Sequence, residues 1–425
     1  MGQYKGFLGV LVLLLIAVAL SNNRRRIDWR IVIAGVLLQL VMAYLCLSFD
    51  KVVNVFDTFA QGVTKVISFA DRGSEFIFGK VADSGQPWGF IFAVKVLPVI
   101  VFFASLMSVL YHLKVMQVVV AAIAWVLRKS LRITGVEALS ASANIFLGQT
   151  EAPLCVRPYL STMTQAQLMT TMTCGFASIA GSVMAAYIGI LGGGDEAARV
   201  VFAKHLMTAS LMSAPAGLMM GRILYPETEI PRDESLERLT KQEKTSCNLV
   251  DAAAAGATDG LQLALNVAAM LVAFVALLAM VNYPIEWLGD RYLHDWLAGR
   301  GIEKLSLQAI LGWVLSPLAW TMGVSWEDAG SVGGLMGTGV IATEFVAYVK
   351  LGTLIQAHTI SPRAAQITTY ALCGFANLPS IGIQIGGLGA LAPERRHDLA
   401  KLGLRAMTAG ALACWSAGAM ASVFI

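Results

Sequence analysis

Apolar residues dominate this chain in long runs that polar residues interrupt at only a few places. A helix that crosses a bilayer needs about 20 predominantly apolar residues. Runs of roughly that length occur at residues 5–20, 31–48, 88–111, 165–191, 200–223, 258–282, 362–391 and 400–424. The pattern predicts an all-α polytopic membrane protein with about eight transmembrane helices.

Charged residues outside these runs predict how the helices are oriented. A cluster of arginines at 24–30 follows the first run, and loops rich in Lys and Arg lie preferentially in the cytoplasm. We interpret the first run as a retained helix, because the charges of a secretory leader precede its apolar core. With the first loop inside, the basic loops at 225–250 and 393–401 also fall inside, and both termini lie outside.

Two other segments have the pattern of helices that lie along a membrane surface. Residues 114–132 carry apolar side chains on one side, and basic residues flank them. The predicted topology puts this interfacial helix on the inner surface. The stretch at 50–87, which has charges of both signs, then lies outside.

The segments 135–160 and 305–355 are apolar but contain polar clusters that a simple span would not tolerate. The first contains Gly148-Gln149-Thr150-Glu151, and the second contains Thr343-Glu344 after a Gly-rich run. Each predicts a re-entrant helical hairpin, which enters the membrane and leaves by the same face. Backbone that bends at membrane depth is stable only where protein or a water-filled cavity covers it.

The hairpins belong to an internal repeat. Cys174-Gly175-Phe176-Ala177 recurs as Cys373-Gly374-Phe375-Ala376, and the Thr-Glu pair of a hairpin precedes each copy. The predicted topology gives the two copies opposite orientations. Inverted repeats are typical of secondary transporters, which bind substrate near the midplane between the halves. We expect each helix to be unwound after this motif, where free N–H and C=O groups can bind a polar solute or a cation.

Composition excludes several other functions. Hydrophobic residues make up 57% of the 425 residues, charged residues only 14%, and the formal net charge is +4. The basic residues form no patch with interleaved aromatics, which argues against nucleic-acid binding. The six cysteines and five histidines have no metal-binding spacing, and no nucleophile or phosphate-binding motif supports an enzyme.

Glu151 and Glu344 are the strongest candidates for function. A carboxylate at bilayer depth carries a high free-energy cost, so such a residue is a functional hypothesis by default. A structural ion pair, or a hairpin tip that lies in water, is the alternative. Four neighbouring side chains would add amide and hydroxyl partners for a ligand rich in hydroxyl and N–H groups: Gln149, Thr150, Asn377 and Ser380. For these four the alternative is capping of helix ends. Phe375 would stack on a ring of the ligand or pack in the core.

A second group of residues has the chemistry of a sodium site. Asn144 and Ser178 are candidate side-chain ligands, with the backbone carbonyls of Leu147 and Ile179 beside them. Hard cations prefer oxygen ligands, and bent backbone exposes such oxygens. Neutral Asn and Ser also cap broken helices, which is the alternative.

The chain resembles the concentrative nucleoside transporter family in its bacterial form. The likeness runs from about residue 72 to the C-terminus, and three motifs carry it: Gly148-Gln149-Thr150-Glu151-Ala152-Pro153, Glu344-Phe345-Val346-Ala347-Tyr348 and Cys373-Gly374-Phe375-Ala376-Asn377. The resemblance implies a homotrimer in the bacterial inner membrane that couples sodium to nucleoside uptake by an elevator-like movement. Each protomer would have a fixed scaffold and a mobile transport part.

The resemblance also implies a division of the chain and a role for each site residue. The regions would be 1–111 (scaffold helices 1–3 with the outer amphipathic segment), 112–134 (inner interfacial helix), 135–223 (first transport repeat), 224–303 (inner loop, scaffold helix 6 and outer interfacial segment) and 304–425 (second transport repeat). Gln149, Thr150 and Glu151 would hydrogen-bond the base. Glu344, Asn377 and Ser380 would bind the ribose, with Phe375 and Val183 nearby. Co-transported sodium would bind Asn144, Leu147, Ser178 and Ile179, the first and third through side chains.

Two positions depart from the family pattern. Thr343 stands where Asn is usual, and it keeps a hydroxyl but loses a bidentate amide. Pro379 stands where Ser is usual, and it lacks an N–H. We expect these changes to alter ribose affinity, rates or selectivity and to leave the class of transport unchanged.

Two alternatives to sodium-coupled nucleoside uptake stay open. One is proton coupling, and the other is an inverted-hairpin carrier for another small polar solute, such as dicarboxylates or amino acids. An anionic substrate favours Arg or Lys at the hairpin tips, and this chain has Glu there.

Overall fold

The computed structural model describes residues 4–82, 91–232, 246–292 and 305–425, and these ranges are helical throughout, apart from short connections. The α-helices are Lys5–Ala19 (α1), Trp29–Leu47 (α2), Asp50–Phe78 (α3), Phe92–Lys95 (α4), Leu97–His112 (α5), Val115–Leu131 (α6), Gly135–Ala143 (α7), Gln165–Phe176 (α8), Gly181–Gly192 (α9), Glu196–Leu224 (α10), Leu249–Tyr292 (α11), Leu307–Thr321 (α12), Trp326–Ile341 (α13), Glu344–Gln356 (α14), Pro362–Ala371 (α15), Leu378–Leu391 (α16) and Arg396–Ala421 (α17). Single 3₁₀ segments occur at Arg24–Arg26, Gly79–Ala82, Ala152–Thr162 and Pro393–Arg395.

Each of the eight predicted spans contains a helix or a broken pair of helices. Within the described ranges, four continuous or nearly continuous stretches are long and apolar enough to cross a membrane: Trp29–Leu47, Ala93–His112, Gln165–Gly192 and Leu249–Tyr292. α1 and α16 are shorter apolar helices, and α10 and α17 are long helices buried among the others. The all-α polytopic membrane fold is therefore confirmed. Residues 233–245 of the predicted inner loop and residues 293–303 of the predicted outer interfacial segment lie outside the described residues.

Helix starts follow the capping residues in the sequence. A side-chain oxygen at the position before the helix accepts a hydrogen bond from a backbone N–H of the first turn, which would otherwise have no partner. These caps are Asp28, Thr134, Thr164, Asp195, Ser306, Ser325, Thr343, Ser361 and Asn377. Two of them, Thr134 and Thr164, form complete capping boxes with the residue three positions later.

Both repeated spans are interrupted at the Cys-Gly-Phe-Ala motif. In the first, α8 ends at Phe176 and α9 begins at Gly181, so the break follows the motif, as predicted. In the second, α15 already ends at Ala371 and α16 begins at Leu378, so the motif lies inside the break instead of before it. The two interruptions touch, because the backbone N–H of Phe375 donates to the carbonyl of Ser178 at 3.2 Å. A side chain at Gly374 would put its Cβ 2.6 Å from the carbonyl oxygen of Phe176, so this approach requires glycine.

The first hairpin consists of α7, a turn at residues 144–151 and the 3₁₀ segment Ala152–Thr162. Pro158 inside this segment removes a backbone donor, which disfavours an α-helical returning limb. At the base of the hairpin the buried Glu137 forms an ion pair with Arg222 at 2.7 Å. This contact holds the entrance of the hairpin against the end of α10.

The second hairpin differs from the prediction of a single hairpin over residues 305–355. The segment contains three helices separated by two corners. At the first corner α12 and α13 meet at an angle of 119°, and at the second, residues 342–343 connect α13 to α14. The first corner contains Gly323, whose φ of +101° suits only glycine, followed by the cap Ser325. The second corner is the hairpin tip, where Thr343 caps α14 and Glu344 is its first residue.

The amphipathic segments form the helices α3 and α6. α6 buries the stripe Met116, Val120, Ala124, Leu127 and Leu131 and leaves much of the opposite apolar side exposed, with Lys129 over the ring of Trp125. α3 contacts α10 through an ion pair between Asp57 and Lys204 at 3.1 Å. Both helices pack against the bundle. Their position along the membrane surface stays a prediction.

Candidate functional site

One cavity of about 500 Å³ lies between the tips of the two hairpins, the two interrupted spans and α11. All eight side chains that the resemblance assigns to the substrate line it: Gln149, Thr150, Glu151, Val183, Glu344, Phe375, Asn377 and Ser380. They come from separate segments of the chain that the fold brings together. Ligand sites in proteins commonly have volumes of about 300–1,000 Å³ and few, well-placed polar groups.

Glu344 is held at one end of this cavity by two donors. The hydroxyl of Tyr187 donates to Oε1 at 2.9 Å, and the amide Nδ2 of Asn377 donates to Oε2 at 2.6 Å. Asn377 in turn accepts a hydrogen bond from the backbone N–H of Ser380 at 2.9 Å, because it caps α16. The carboxylate is thus fixed in position by contacts from α9 and from the start of α16.

The arrangement leaves Glu344 able to bind a hydroxyl group. A carboxylate has about four lone-pair positions, so two donors do not exhaust its capacity. Its position as the first residue of α14 places it at the positive end of the helix dipole, which favours a negative charge. Only 6% of the residue is exposed, so a ligand hydroxyl that reached it would meet little competition from water.

Tyr187 is a contact that the sequence prediction missed. The ring is fully buried, stacks on Tyr348 with 4.0 Å between centroids and meets Phe345 edge to face at 5.2 Å. It lies one helical turn after Val183 on the same face of α9, since residues four apart share a face. That spacing from a predicted site residue is the signal that could have found it.

The tip of the first hairpin forms the other polar end of the cavity. Gln149 is buried, and its Oε1 accepts a hydrogen bond from Nε2 of Gln384 at 3.1 Å. Glu151 accepts a hydrogen bond from the backbone N–H of Gly148 at 3.3 Å. Glu344 is buried, whereas Glu151 is exposed in the single chain and lines the same cavity. Gln384 was not predicted.

The remaining wall of the cavity comes from α11. Leu263, Val267 and Leu271 are three of its lining residues, and Asn266 is the polar one among them. Asp259, Gln262 and Asn266 form a polar side of this helix in the sequence, and all three are exposed in the single chain. The wall opposite the hairpin tips is therefore mostly apolar.

The four candidate sodium ligands come from two segments that lie side by side. The carbonyl of Phe146 accepts a hydrogen bond from the N–H of Gly181 at 2.9 Å, which brings residues 144–147 against residues 178–181. Asn144 is buried and donates its Nδ2 to the carbonyl of Ser140 at 2.9 Å, whereas its Oδ1 has no hydrogen-bond partner. Ser178 donates to the carbonyl of Cys174 at 2.9 Å and keeps the lone pairs of Oγ.

These donors fit a hard monovalent cation better than a transition metal. Buried polar atoms without a partner are rare in proteins, and an oxygen such as Asn144 Oδ1 is the kind of ligand that a hard cation takes. Among the described residues, no cluster of His, Cys, Asp and Glu side chains could hold a metal ion. Asn144 and the side chain of Ser178 therefore present neutral oxygen ligands beside the first hairpin tip.

The two departures from the family pattern occupy helix starts. Thr343 uses its hydroxyl to cap α14, accepting from the N–H of Val346 at 3.3 Å. Pro379 lies in the first turn of α16, where a missing N–H costs no intrahelical hydrogen bond. Both residues are compatible with the local backbone, and Thr343 also lines the cavity.

Comparison with known proteins identifies the family. Family models match three successive parts of the chain: "Na⁺ dependent nucleoside transporter N-terminus" at residues 8–81, "Nucleoside recognition" at 93–194 and "Na⁺ dependent nucleoside transporter C-terminus" at 205–422. An uncharacterized transporter of Haemophilus influenzae is 43% identical, with 100% of this chain and 98% of that protein covered. The uncharacterized transporter YutK of Bacillus subtilis is 41% identical, with 99% of each chain covered. Sodium/nucleoside cotransporter 1 of Mus musculus is 39% identical, with 96% of this chain and 62% of that protein covered.

Solved structures of CNTnw resemble the fold along the whole chain. Its inward-facing substrate-bound state has 40% sequence identity and a TM-score of 0.89, with 100% of this chain and 98% of that chain covered. An outward-facing state of a CNTnw variant gives the same identity, TM-score and coverage. The chain is a multi-pass membrane transporter, not an enzyme, and it belongs to the Na⁺-dependent nucleoside transporter (CNT) family.

Proposed function

We propose that this protein is a symporter that couples inward movement of sodium to uptake of uridine-like nucleosides. The observation that carries the proposal is the polarity of the cavity: hydrogen-bonding groups cluster at two separate ends, and apolar side chains lie between them. A nucleoside has the same layout, with hydroxyl groups on the sugar and hydrogen-bonding edges on the base. The cavity is also large enough for such a ligand.

Each end of the cavity suits one half of the nucleoside. Glu344, Asn377 and Ser380 bind the ribose, since a carboxylate that already has two donors still accepts from a hydroxyl. Gln149, Thr150 and Glu151 bind the base. Phe375 and Val183 contact the rings between these ends.

Sodium binds through the side chains of Asn144 and Ser178 and the carbonyls of Leu147 and Ile179. The Oδ1 atom of Asn144 has no hydrogen-bond partner within the protein, and a bound sodium ion gives it one, which supports this assignment. The sodium segment 144–147 continues directly into the base-binding residues 149–151. An ion bound there stabilises the hairpin tip in its binding conformation, which raises the affinity for the nucleoside.

Transport proceeds by movement of one part of each protomer against another. The moving part comprises the two hairpins with the spans α8–α10 and α15–α17, and α11 belongs to the fixed scaffold. The mostly apolar wall that α11 turns toward the cavity supports this division, because a unit sliding past it breaks few hydrogen bonds. We further propose a homotrimer in a bacterial inner membrane, with both termini outside, as the charge pattern predicts.

Uptake of labelled uridine into proteoliposomes tests the function. Purified protein is reconstituted, and uptake is measured with an inward sodium gradient, with equal sodium on both sides, and with an inward proton gradient alone. We expect accumulation only with the sodium gradient. Accumulation driven by protons alone would replace sodium as the coupling ion, and absence of uptake of any nucleoside under all gradients would reject nucleoside symport.

A further inference from the structure

Gln384 contacts the tip of the first hairpin from inside α16. The side chain is fully buried. Its Nε2 donates one hydrogen bond to the backbone carbonyl of Met172 at 3.1 Å and another to Oε1 of Gln149 at 3.1 Å. Both hydrogens of the amide are therefore used.

The carbonyl of Met172 determines which way both amides point. A backbone carbonyl can only accept, so the nitrogen of Gln384 must face it. That nitrogen also faces Gln149, which must present its oxygen, because two NH₂ groups in contact would repel. The Oε1 of Gln149 is then turned toward Gln384, which leaves its Nε2 as the atom that can face a ligand in the cavity that Gln149 lines.

Two glycines allow this close contact between α16 and the hairpin tip. A Cβ at Gly175 would lie 2.7 Å from Nε2 of Gln384 and 3.1 Å from Cβ of Gln149. A Cβ at Gly387 would lie 2.7 Å from Cγ2 of Thr150. The packing holds Gln384 closely against Gln149, so the orientation of the two amides is rigid.

We infer that Gln384 is a positioning residue that makes Gln149 a hydrogen-bond donor toward the base, so that the carrier prefers uridine over cytidine. This inference rests on the proposed function, in which Gln149 and Glu151 contact the base. Gln149 then presents an N–H donor to the base, and the carboxylate of Glu151 beside it presents an acceptor. Uracil matches it with a carbonyl beside a ring N–H, whereas cytosine presents an amino group beside a ring nitrogen that can only accept.

Binding of three nucleosides to the wild-type protein tests the polarity directly. The dissociation constants of uridine, cytidine and the pyrimidin-2-one nucleoside, which lacks a group at C4, are measured by calorimetry in saturating sodium. We expect uridine to bind at least about tenfold more tightly than cytidine. Cytosine loses both contacts, because its amino group faces the donor of Gln149 and its ring nitrogen faces the acceptor of Glu151. The pyrimidin-2-one nucleoside should bind with intermediate affinity. Its ring nitrogen, like that of cytosine, cannot donate to Glu151, but it has no amino group opposed to the donor of Gln149.

Variants of Gln384 test its part in this preference. In Gln384→Glu, a protonated carboxyl donates to the Met172 carbonyl and accepts from Gln149, which turns the oxygen of Gln149 to the cavity. We expect the ratio of cytidine to uridine dissociation constants to fall at least about tenfold. In Gln384→Leu both orientations of Gln149 are allowed, so the ratio of cytidine to uridine dissociation constants should fall toward one. The loss of uridine affinity should be smaller than in Gln384→Glu.

The outcomes separate this inference from the proposed function. Equal binding of uridine and cytidine to the wild type, or a ratio unchanged in Gln384→Glu, would overturn the role of Gln384 and leave nucleoside transport standing. Absence of binding of all three nucleosides would reject the proposed function itself. If neither variant can be purified as a folded protein, the order of the three affinities in the wild type decides.

Discussion

Replacing Glu344 by Gln tests the sugar end of the cavity most directly. The carboxylate accepts from Tyr187 at 2.9 Å and from Asn377 at 2.6 Å. A glutamine keeps both contacts if its oxygen faces Asn377 and its NH₂ group faces the hydroxyl of Tyr187, which can accept as well as donate. The variant should therefore fold, because the substitution preserves the shape and the local hydrogen bonds.

The loss should appear in binding instead. The NH₂ group that the substitution introduces can only donate, so a ribose hydroxyl loses its charged acceptor. A hydrogen bond to a charged group is worth about 1.5–3 kcal/mol, and each 1.4 kcal/mol corresponds to about tenfold in affinity. We expect the dissociation constant of uridine to rise by roughly 10- to 150-fold, measured by calorimetry on purified protein in saturating sodium.

Deoxynucleosides show whether the lost contact is the one assigned. In the wild type, a deoxynucleoside that lacks the hydroxyl bound by Glu344, at either the 2′ or the 3′ position, should have a dissociation constant raised by a similar factor. In the Glu344→Gln variant that penalty should shrink to less than about threefold, since the partner is already absent. The control Glu327→Gln makes the same chemical change at an exposed position of the same hairpin and should leave binding unchanged. Wild-type affinity in Glu344→Gln, or unchanged deoxynucleoside penalties, would refute the assignment to the ribose.

Three further contacts give predictions of different size. Asn144→Ala removes the buried oxygen that has no partner, so the sodium concentration for half-maximal uridine uptake should rise roughly fivefold or more, while uptake at saturating sodium changes little; an unchanged sodium titration would exclude this residue as a ligand. Glu137→Gln leaves the buried Arg222 with Glu227 as its remaining charged partner at 2.9 Å and should destabilise the protein by about 1.5–3 kcal/mol, seen as a lower melting temperature. Asp57→Asn breaks the partly exposed ion pair with Lys204 and should cost no more than about 1 kcal/mol, less at high salt; a loss as large as that of Glu137→Gln would contradict the difference in burial.

Much of this architecture is predictable because it depends on local sequence. Apolar run length places the helices, and Ser, Thr, Asp and Asn at their starts place the caps. Both repeated spans are interrupted at the Cys-Gly-Phe-Ala motif, although the second break begins before the motif, after Ala371. The eight side chains that the resemblance assigns to the substrate also line one cavity.

The prediction fails where a feature depends on distant residues or on a single backbone angle. Tyr187 meets Glu344 across 157 positions of sequence, and Gln384 meets Gln149 across 235. A buried polar side chain inside an apolar helix, such as Gln384, predicts that a partner exists but not which one. The extra helix before the second hairpin depends on the positive φ of Gly323, which the apolar pattern of residues 305–355 does not reveal.

The contacts of α16 connect the two ends of the site. Asn377, Ser380, Gln384 and Gly387 are spaced by three or four residues, so they lie on one face of this helix. The first two lie at the end that we propose for the sugar, and the last two contact the tip of the first hairpin, at the end that we propose for the base. At about 1.5 Å per residue this face is about 15 Å long. Because one rigid helix sets the distance between the two ends, the base and the sugar of a bound nucleoside are recognised together, and a change in the packing of α16 affects both.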